Sequence, residues 1–282
     1  MSPTLPALVE PDDLELPPAP DVRLVHVADA RAYAAAHLPG AVLVEPRELI
    51  RGEPPASGKL PETARLEALF GALGHRPETH YLVYDDEGGG WAGRFVWTLE
   101  VIGHRGWSYL DGGLHAWHGL GRPLEAGAPP PRPGRREPLR LTLDPGPRAE
   151  LADVLAAIGD PEQLIWDARS PEEYRGEKSG ARRAGHIPGA RNLDWLRLMD
   201  PARERRLVTD LPDLLDRHGI DPAKRIITHC QTHHRSGLSY LVGRLLGFQD
   251  IRGYDGSWGE WGNRDDTPIV TGAEPDGAAA PR

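Results

Sequence analysis

Six consecutive residues, Cys230-Gln231-Thr232-His233-His234-Arg235, place a thiol, two imidazoles and a guanidinium together. A thiol attacks only as its thiolate, and a free cysteine with a pKa of about 8.5 is a few per cent ionised at neutral pH. Holding it mostly ionised takes about 2.7 kcal/mol. A helix amino terminus supplies about 0.3–1 kcal/mol of that. Hydrogen bonds to a charged group add roughly 1.5–3 kcal/mol each, so two backbone N–H donors from the loop close the gap. The loop amides are therefore the expected main activator. From Pro222 to Gln249 there is no Asp or Glu, while Lys224, Arg225, Arg235, Arg244 and three histidines are present. That local cationic stretch suits a thiolate and an anionic substrate.

Other chemistries use the same residues less well. A lone cysteine after an apolar strand is often inert filler, and position is what argues otherwise here. His229, Cys230, His233 and His234 as metal ligands would crowd four donors into six residues, unlike the usual paired spacing, so no metal is expected. Cysteine-dependent phosphatases place Arg after five intervening residues; here four separate Cys230 from Arg235, and the five-residue spacing falls on Ser236.

The elements that must position the loop are legible. Arg225-Ile226-Ile227-Thr228-His229 is short, apolar and β-branched, as a central parallel strand should be. Leu238, Leu241, Val242, Leu245 and Leu246 then form one stripe of an amphipathic helix that Gly247 closes. The cysteine therefore sits between the carboxyl end of a strand and the amino end of a helix, where open α/β sheets usually bind ligands.

The same order of features occurs twice. Leu24-Val25-His26-Val27 runs into Asp29-Ala30-Arg31, and Leu164-Ile165-Trp166 into Asp167-Ala168-Arg169. His37-Leu38-Pro39-Gly40-Ala41 returns as His186-Ile187-Pro188-Gly189-Ala190, and Tyr81 to Tyr84 as Ile226 to His229. Asp111-Gly112-Gly113 with Trp117 returns as Asp255-Gly256-Ser257 with Trp261. Such ordered recurrence signals a duplicated α/β domain, each copy a mainly parallel sheet flanked by helices. The boundaries read as 8–124, a Pro/Gly-rich linker at 125–148, and 149–270. Gly127 to Gly134, followed by Arg135 and Arg136, reads as a stiff exposed tether. Thr271 to Arg282 lacks apolar periodicity and is expected to fray.

Composition sets the outer limits. The chain has 282 residues, 39% of them hydrophobic, and a formal charge of -9. That balance argues against nucleic-acid binding. No apolar run is long enough for a membrane span, and Met1 to Pro20 lacks the basic start of a secretory signal. The single cysteine excludes an internal disulfide, and a cytoplasmic setting is expected.

Taken together, the tandem halves, Asp-Ala-Arg, His-Ile-Pro-Gly-Ala, the cysteine loop and Asp-Gly-Ser-Trp resemble rhodanese. Specifically, the chain resembles the two-domain thiosulfate:cyanide sulfurtransferases, in the bacterial subgroup with a Cys-Gln-Thr-His-His-Arg loop. The resemblance covers roughly residues 8 to 270. It implies that Cys230 takes the outer sulfur of thiosulfate as a persulfide, releases sulfite, and passes the sulfur to cyanide or another acceptor. The amides of Gln231, Thr232, His233, His234 and Arg235 would hold the persulfide, with His233, His234 and Arg235 at the entrance. No cofactor is implied, the partners are small molecules, and a monomer is expected. Animal thiosulfate enzymes of the family carry an Arg-Lys pair where Gln231 and Thr232 stand. Relatives using mercaptopyruvate carry a small uncharged loop, which this is not. A persulfide carrier serving a protein partner is the other reading, and mercaptopyruvate the other donor.

The first half lacks the nucleophile. Asp85-Asp86-Glu87 occupies its place and reads as an acceptor-only plug for inward-pointing amides, rather than a metal or acid/base site. Gly88-Gly89-Gly90 reads as a permissive turn. Asp29 with Arg31 and Asp167 with Arg169 are expected to pair at the strand exits. Arg182 and Arg183 lie in an insertion peculiar to the second half and read as a solvated loop, with reach into the active cleft the other reading. Trp195, Trp258 and Trp261 are candidates for packing or for walling the pocket.

Overall fold

The computed structural model describes residues 5–135 and 137–276. They fall into two units. One comprises residues 5–51, Leu60–Asp144 and Met199–Leu207; the other comprises Gly52–Lys59, Pro145–Leu198 and the chain from Val208.

The first unit is built on strands β1 (Leu8–Val9), β2 (Val22–Val27), β3 (Val42–Val44), β4 (His80–Asp85) and β5 (Trp107–Leu110). They form one parallel sheet in the order β1-β5-β4-β2-β3. Helices α1 (Ala30–Ala35), α2 (Thr63–Ala72), α3 (Gly90–Val101) and α4 (Gly113–Gly119) connect them. The second unit repeats this order with β6 (Arg148–Ala149), β7 (Gln163–Asp167), β8 (Arg191–Asn192), β11 (Arg225–His229) and β12 (Ile251–Tyr254), as β6-β12-β11-β7-β8. A short antiparallel pair, β9 (Met199–Asp200) and β10 (Arg206–Leu207), lies between β8 and β11 in sequence but belongs to the first unit. Helices α5 (Leu151–Ala157), α6 (Pro171–Arg175), α7 (Leu211–Arg217), α8 (Arg235–Leu245) and α9 (Ser257–Trp261) complete the chain. The duplicated α/β organisation is thus observed.

Strand β11 is central, pairing Thr228 with Trp166 and Ile226 with Ile251, so its apolar β-branched residues are covered on both faces. Residues Ile165, Ile227, Tyr254, Trp258 and Trp261 belong to the second unit's core, and Val9, Leu24, Leu82, Tyr84 and Trp117 to the first's. Both His-x-Pro-Gly-Ala motifs do the same structural work. The His37 ring stacks on Tyr33 and its Nδ1 meets the Tyr33 carbonyl at 2.8 Å; His186 does the same on Tyr174, also at 2.8 Å. Each tyrosine hydroxyl then donates to the motif's alanine, Ala41 or Ala190.

Three local expectations change. The segment after Gly127 is exposed, yet it is tied down rather than free. Gly134 N–H donates to Ala72, and Arg132 forks onto Glu48 while reaching the Leu43 carbonyl. Arg136 lies outside the described residues. The stretch from Thr271 does not fray as far as Asp276: Gly272 N–H donates to Arg175, and the Pro275 carbonyl accepts from Gly189. Residues 277–282 lie outside the described residues. Finally, Asp29 does not pair with Arg31 through its side chain. Its carboxylate caps α1 by accepting the Arg31 and Ala32 N–H groups, each at 2.8 Å, because the helix start leaves those donors open.

Candidate active site

The cysteine loop is the turn from β11 to α8. Cys230 follows the last strand residue, Gln231 to His234 make the bend, and Arg235 opens the helix. His233 adopts a left-handed backbone with φ 55°, which lets the chain reverse within so few residues. Its side chain is fully buried and its Nδ1 lies 2.7 Å from the Ser236 hydroxyl, so it braces the helix start rather than lining an entrance. His234 is half-buried against the Trp195 ring, 5.6 Å between centroids. The Gln231 amide donates to the Gly180 carbonyl at 3.3 Å.

Cys230 itself is buried. Burial pushes its thiol up, but the Arg235 guanidinium, the N–H and hydroxyl of Ser236, and the Thr232 N–H together bring it below the ordinary thiol value. The largest single attraction is the Arg235 guanidinium, and backbone amides of the kind the sequence favours, here those of Ser236 and Thr232, act beside it. Ser236 is also a member of the site that sequence reasoning passed over, having weighed it only as a phosphatase spacing. Its position in the first turn of α8 was the available signal.

Arg235 is held in place by a carboxylate far away in sequence. Its two terminal nitrogens meet the two Glu173 oxygens at 2.6 and 3.0 Å, a bidentate fork that fixes the guanidinium plane. Glu173 is itself placed by the capping box of α6, where Ser170 and Glu173 exchange hydrogen bonds. The cationic stretch is thus countered from outside: Glu173 faces Arg235 and Asp160 faces Arg225.

Below the loop, Asp167 and Arg169 form the expected ion pair, both fully buried. Burial raises the Asp167 carboxyl, but Arg169 and His229 overcome it and hold it at about 2. Arg169 also lies over the Trp258 ring at 4.1 Å and donates to the Gly185 carbonyl. His229 is driven toward its neutral form by burial, against the pull of Asp167. Trp258 and Trp261 are core residues of this unit, anchored to the carbonyls of Arg183 and Pro268. Arg182 and Arg183 bind the 263–267 turn through Asn263, Asp265, Arg264 and Thr267.

On its other side the loop leans on the start of α9. Ser257 Oγ accepts the Cys230 N–H at 3.3 Å and donates to the Tyr254 carbonyl at 2.8 Å. Trp258 and Gly259 N–H groups donate to the Cys230 and Gln231 carbonyls, each at 2.9 Å. Ser257 has φ 51°, a conformation costly for any residue but glycine, and Gly113 shares it at the matching place in the first half.

The first unit shows what the same turn does without a thiol. Asp85 Oδ1 accepts N–H bonds from Glu87, Gly88 and Gly89, and its Oδ2 accepts from Ala92. The plug expected of the Asp85-Asp86-Glu87 cluster is Asp85. Gly88 and Gly89 sit at φ 104° and 110°, the permissive turn anticipated. Among the described residues no three His, Cys, Asp or Glu side chains gather as a metal site requires.

Comparison with known proteins follows the same division. A rhodanese-like domain model matches residues 11–120 and again 150–264. A thiosulfate sulfurtransferase of Azotobacter vinelandii is 52% identical over 94% of this chain and 97% of its own. One of Pseudomonas aeruginosa is 51% identical over 94% of this chain and 97% of its own. A Thermus thermophilus protein named sulfur carrier protein TtuD is 35% identical over 90% of this chain and 93% of its own. Among solved structures, YnjE superposes with a TM-score of 0.84 at 22% identity, covering 96% of this chain and 69% of that one. An ergothioneine biosynthesis enzyme of Chlorobium limicola gives 0.79 at 20% identity, covering 94% and 70%. These two likenesses speak to the fold alone.

Proposed function

The chain belongs to the rhodanese family, and from that premise we propose that it moves sulfane sulfur from thiosulfate to cyanide or a similar thiophilic acceptor through a persulfide on Cys230. The observation that carries the reading is the lone cysteine of the chain, buried at a strand-to-helix turn, with Arg235, Ser236 and Thr232 drawing its thiol toward ionisation.

In the first step the Cys230 sulfur attacks the outer sulfur of thiosulfate. The S–S bond of thiosulfate breaks, and sulfite leaves with the bonding pair. The terminal persulfide sulfur is then an anion, held where the thiolate was held. In the second step the cyanide carbon attacks that sulfur, thiocyanate departs, and the cysteine thiolate returns. No redox partner is consumed and no proton is gained or lost overall. The loop amides of Gln231, Thr232, His233, His234 and Arg235 are the proposed sulfur cradle, and the second half of the chain, 149–270, is the catalytic domain, the first, 8–124, the inactive copy. Residues 125–148 link them.

A second reading has one specific support, the kinship with a protein named as a sulfur carrier. In it, Cys230 delivers its persulfide to a protein partner. Steady-state thiocyanate formation separates the two. Parallel double-reciprocal lines for thiosulfate and cyanide, lost in Cys230→Ser, are expected of the enzyme. A persulfide that cyanide leaves intact and only a protein acceptor discharges would overturn it. We place the protein in the cytoplasm as a monomer; among the described residues no helix is long and apolar enough to cross a membrane.

A further inference from the structure

A segment from the first half of the sequence presses on the cysteine loop. Residues 52–59 belong to the second unit, and there Gly58 meets the backbone of Thr232. A Cβ placed on Gly58 would lie 2.2 Å from the Thr232 carbonyl oxygen and 2.6 Å from both its carbonyl carbon and its Cα. No side chain fits at that distance, and the obstacle is backbone, which cannot swing aside as a side chain does. Gly58 is therefore glycine because of the approach, and not because of its φ, which is not left-handed.

The approach is pinned from two further directions. Lys59 Nζ meets Glu260 Oε1 at 2.6 Å, and Glu260 also accepts from the Tyr254 hydroxyl at 2.8 Å. Both members of the Lys59–Glu260 pair are largely shielded, which makes it firmer than a surface ion pair. A Cβ on Gly259 would stand 2.9 Å from the Pro55 carbonyl oxygen and 3.1 Å from that of Gln231. Residues 55–59, the turn at Gln231 and Thr232, and the first turn of α9 thus meet one another backbone to backbone, and Gly58 and Gly259 are the two glycines that permit it.

We propose that residues 55–59 form a strap that positions the cysteine loop, with Gly58 the residue whose missing side chain lets it hold the Thr232 peptide against Cys230. The strap's close approach is to the Cα and carbonyl of Thr232, and it acts through that residue, whose N–H is one of the groups that favour the ionised thiol. The inference rests on the reading of Cys230 as the nucleophile. It adds a positioning element that the motif-bearing residues do not reveal.

Gly58→Ala tests it through the rate at which iodoacetamide labels Cys230 across a pH series. The charged and titratable groups around the loop, Arg235 with Glu173, Asp194, His229 and His233, are all retained in this variant. A displaced Thr232 peptide should move the labelling profile toward higher pH and slow labelling at neutral pH by about tenfold or more, the lower end of what one lost hydrogen bond to a charge represents. Persulfide formation from thiosulfate should fall in parallel, and Glu53→Ala, an exposed change on the same segment, should do neither. Should Gly58→Ala not fold, the pin decides: Lys59→Met is expected to shift the profile the same way, and Lys59→Arg to restore it. Folded Gly58→Ala, or Lys59→Met, labelling with the parent's profile would overturn the strap. A parent protein whose Cys230 labels like an ordinary thiol would instead overturn the nucleophile reading itself.

Discussion

At the scale of single residues, the site is a balance struck on one sulfur. Burial pushes the Cys230 thiol up, and Arg235, Ser236 and Thr232 outweigh it and bring it below the ordinary thiol value. Ser257 contributes from behind, since its hydroxyl accepts the Cys230 N–H while its backbone holds φ 51°. Two substitutions separate these roles. Ser257→Gly removes the hydroxyl and the strain; Ser257→Ala removes only the hydroxyl. Both should slow thiocyanate formation equally, and Ser257→Ala should unfold more easily than Ser257→Gly by about 1–3 kcal/mol in urea. A rate loss confined to one of them would show that the hydroxyl is not what matters. Nothing in the local sequence announces this serine, because its partner is Cys230 and the contact exists only after the sheet has formed. Glu173 is hidden for the same reason. Its capping box with Ser170 is legible, but the fork onto Arg235 spans the whole insertion and the four strands β8 to β11.

At the scale of elements, the two strand-to-helix turns are one device used twice. Both end a central parallel strand, and both point backbone N–H groups at whatever follows. In the first unit the occupant is the Asp85 carboxylate, which satisfies four of those groups. In the second it is the sulfur. Asp85→Ala should therefore leave buried donors without an acceptor and cost on the order of 3 kcal/mol of stability by chemical denaturation. Asp86→Ala, whose side chain is not the plug, should leave sulfur transfer within about twofold of the parent, as surface-like changes generally do. A hundredfold loss in Asp86→Ala would mean that the first turn has a chemical role after all. These turns were readable because strand period, helix stripe and glycine placement are local signals. The ties of residues 132–141 and of Gly272 and Pro275 were not, since Pro-rich and aperiodic stretches carry no pattern naming the surface they lie on.

At the scale of the molecule, the duplicated fold stores titratable groups that have nothing to do with sulfur. His26 sits fully buried on β2, stacked on Tyr84 at 4.4 Å, and burial followed by the nearby His37 lowers it to about 3. His75 is brought to about 4, by burial and then by His104 and Arg135. In the unfolded chain both bind a proton near 6.5, whereas folded they resist until far lower pH, so the unfolded state takes up more protons as acid is added. Stability is therefore complete above about pH 6.5 and declines from there toward pH 3–4. Asp167, held at about 2, adds its own loss only below about pH 4. Melting temperatures recorded from pH 8 to pH 4 should fall accordingly, and His26→Phe should flatten the fall. An identical slope in that variant would remove His26 from the account.

The most direct measurement is the intact mass of the protein before and after exposure to thiosulfate. One sulfur atom captured on the only cysteine should add about 32 Da, map to the peptide carrying residue 230, and vanish when cyanide is added. A mass that stays unchanged under thiosulfate, or an added sulfur that persists in Cys230→Ser, would contradict the assignment of sulfur transfer to that side chain.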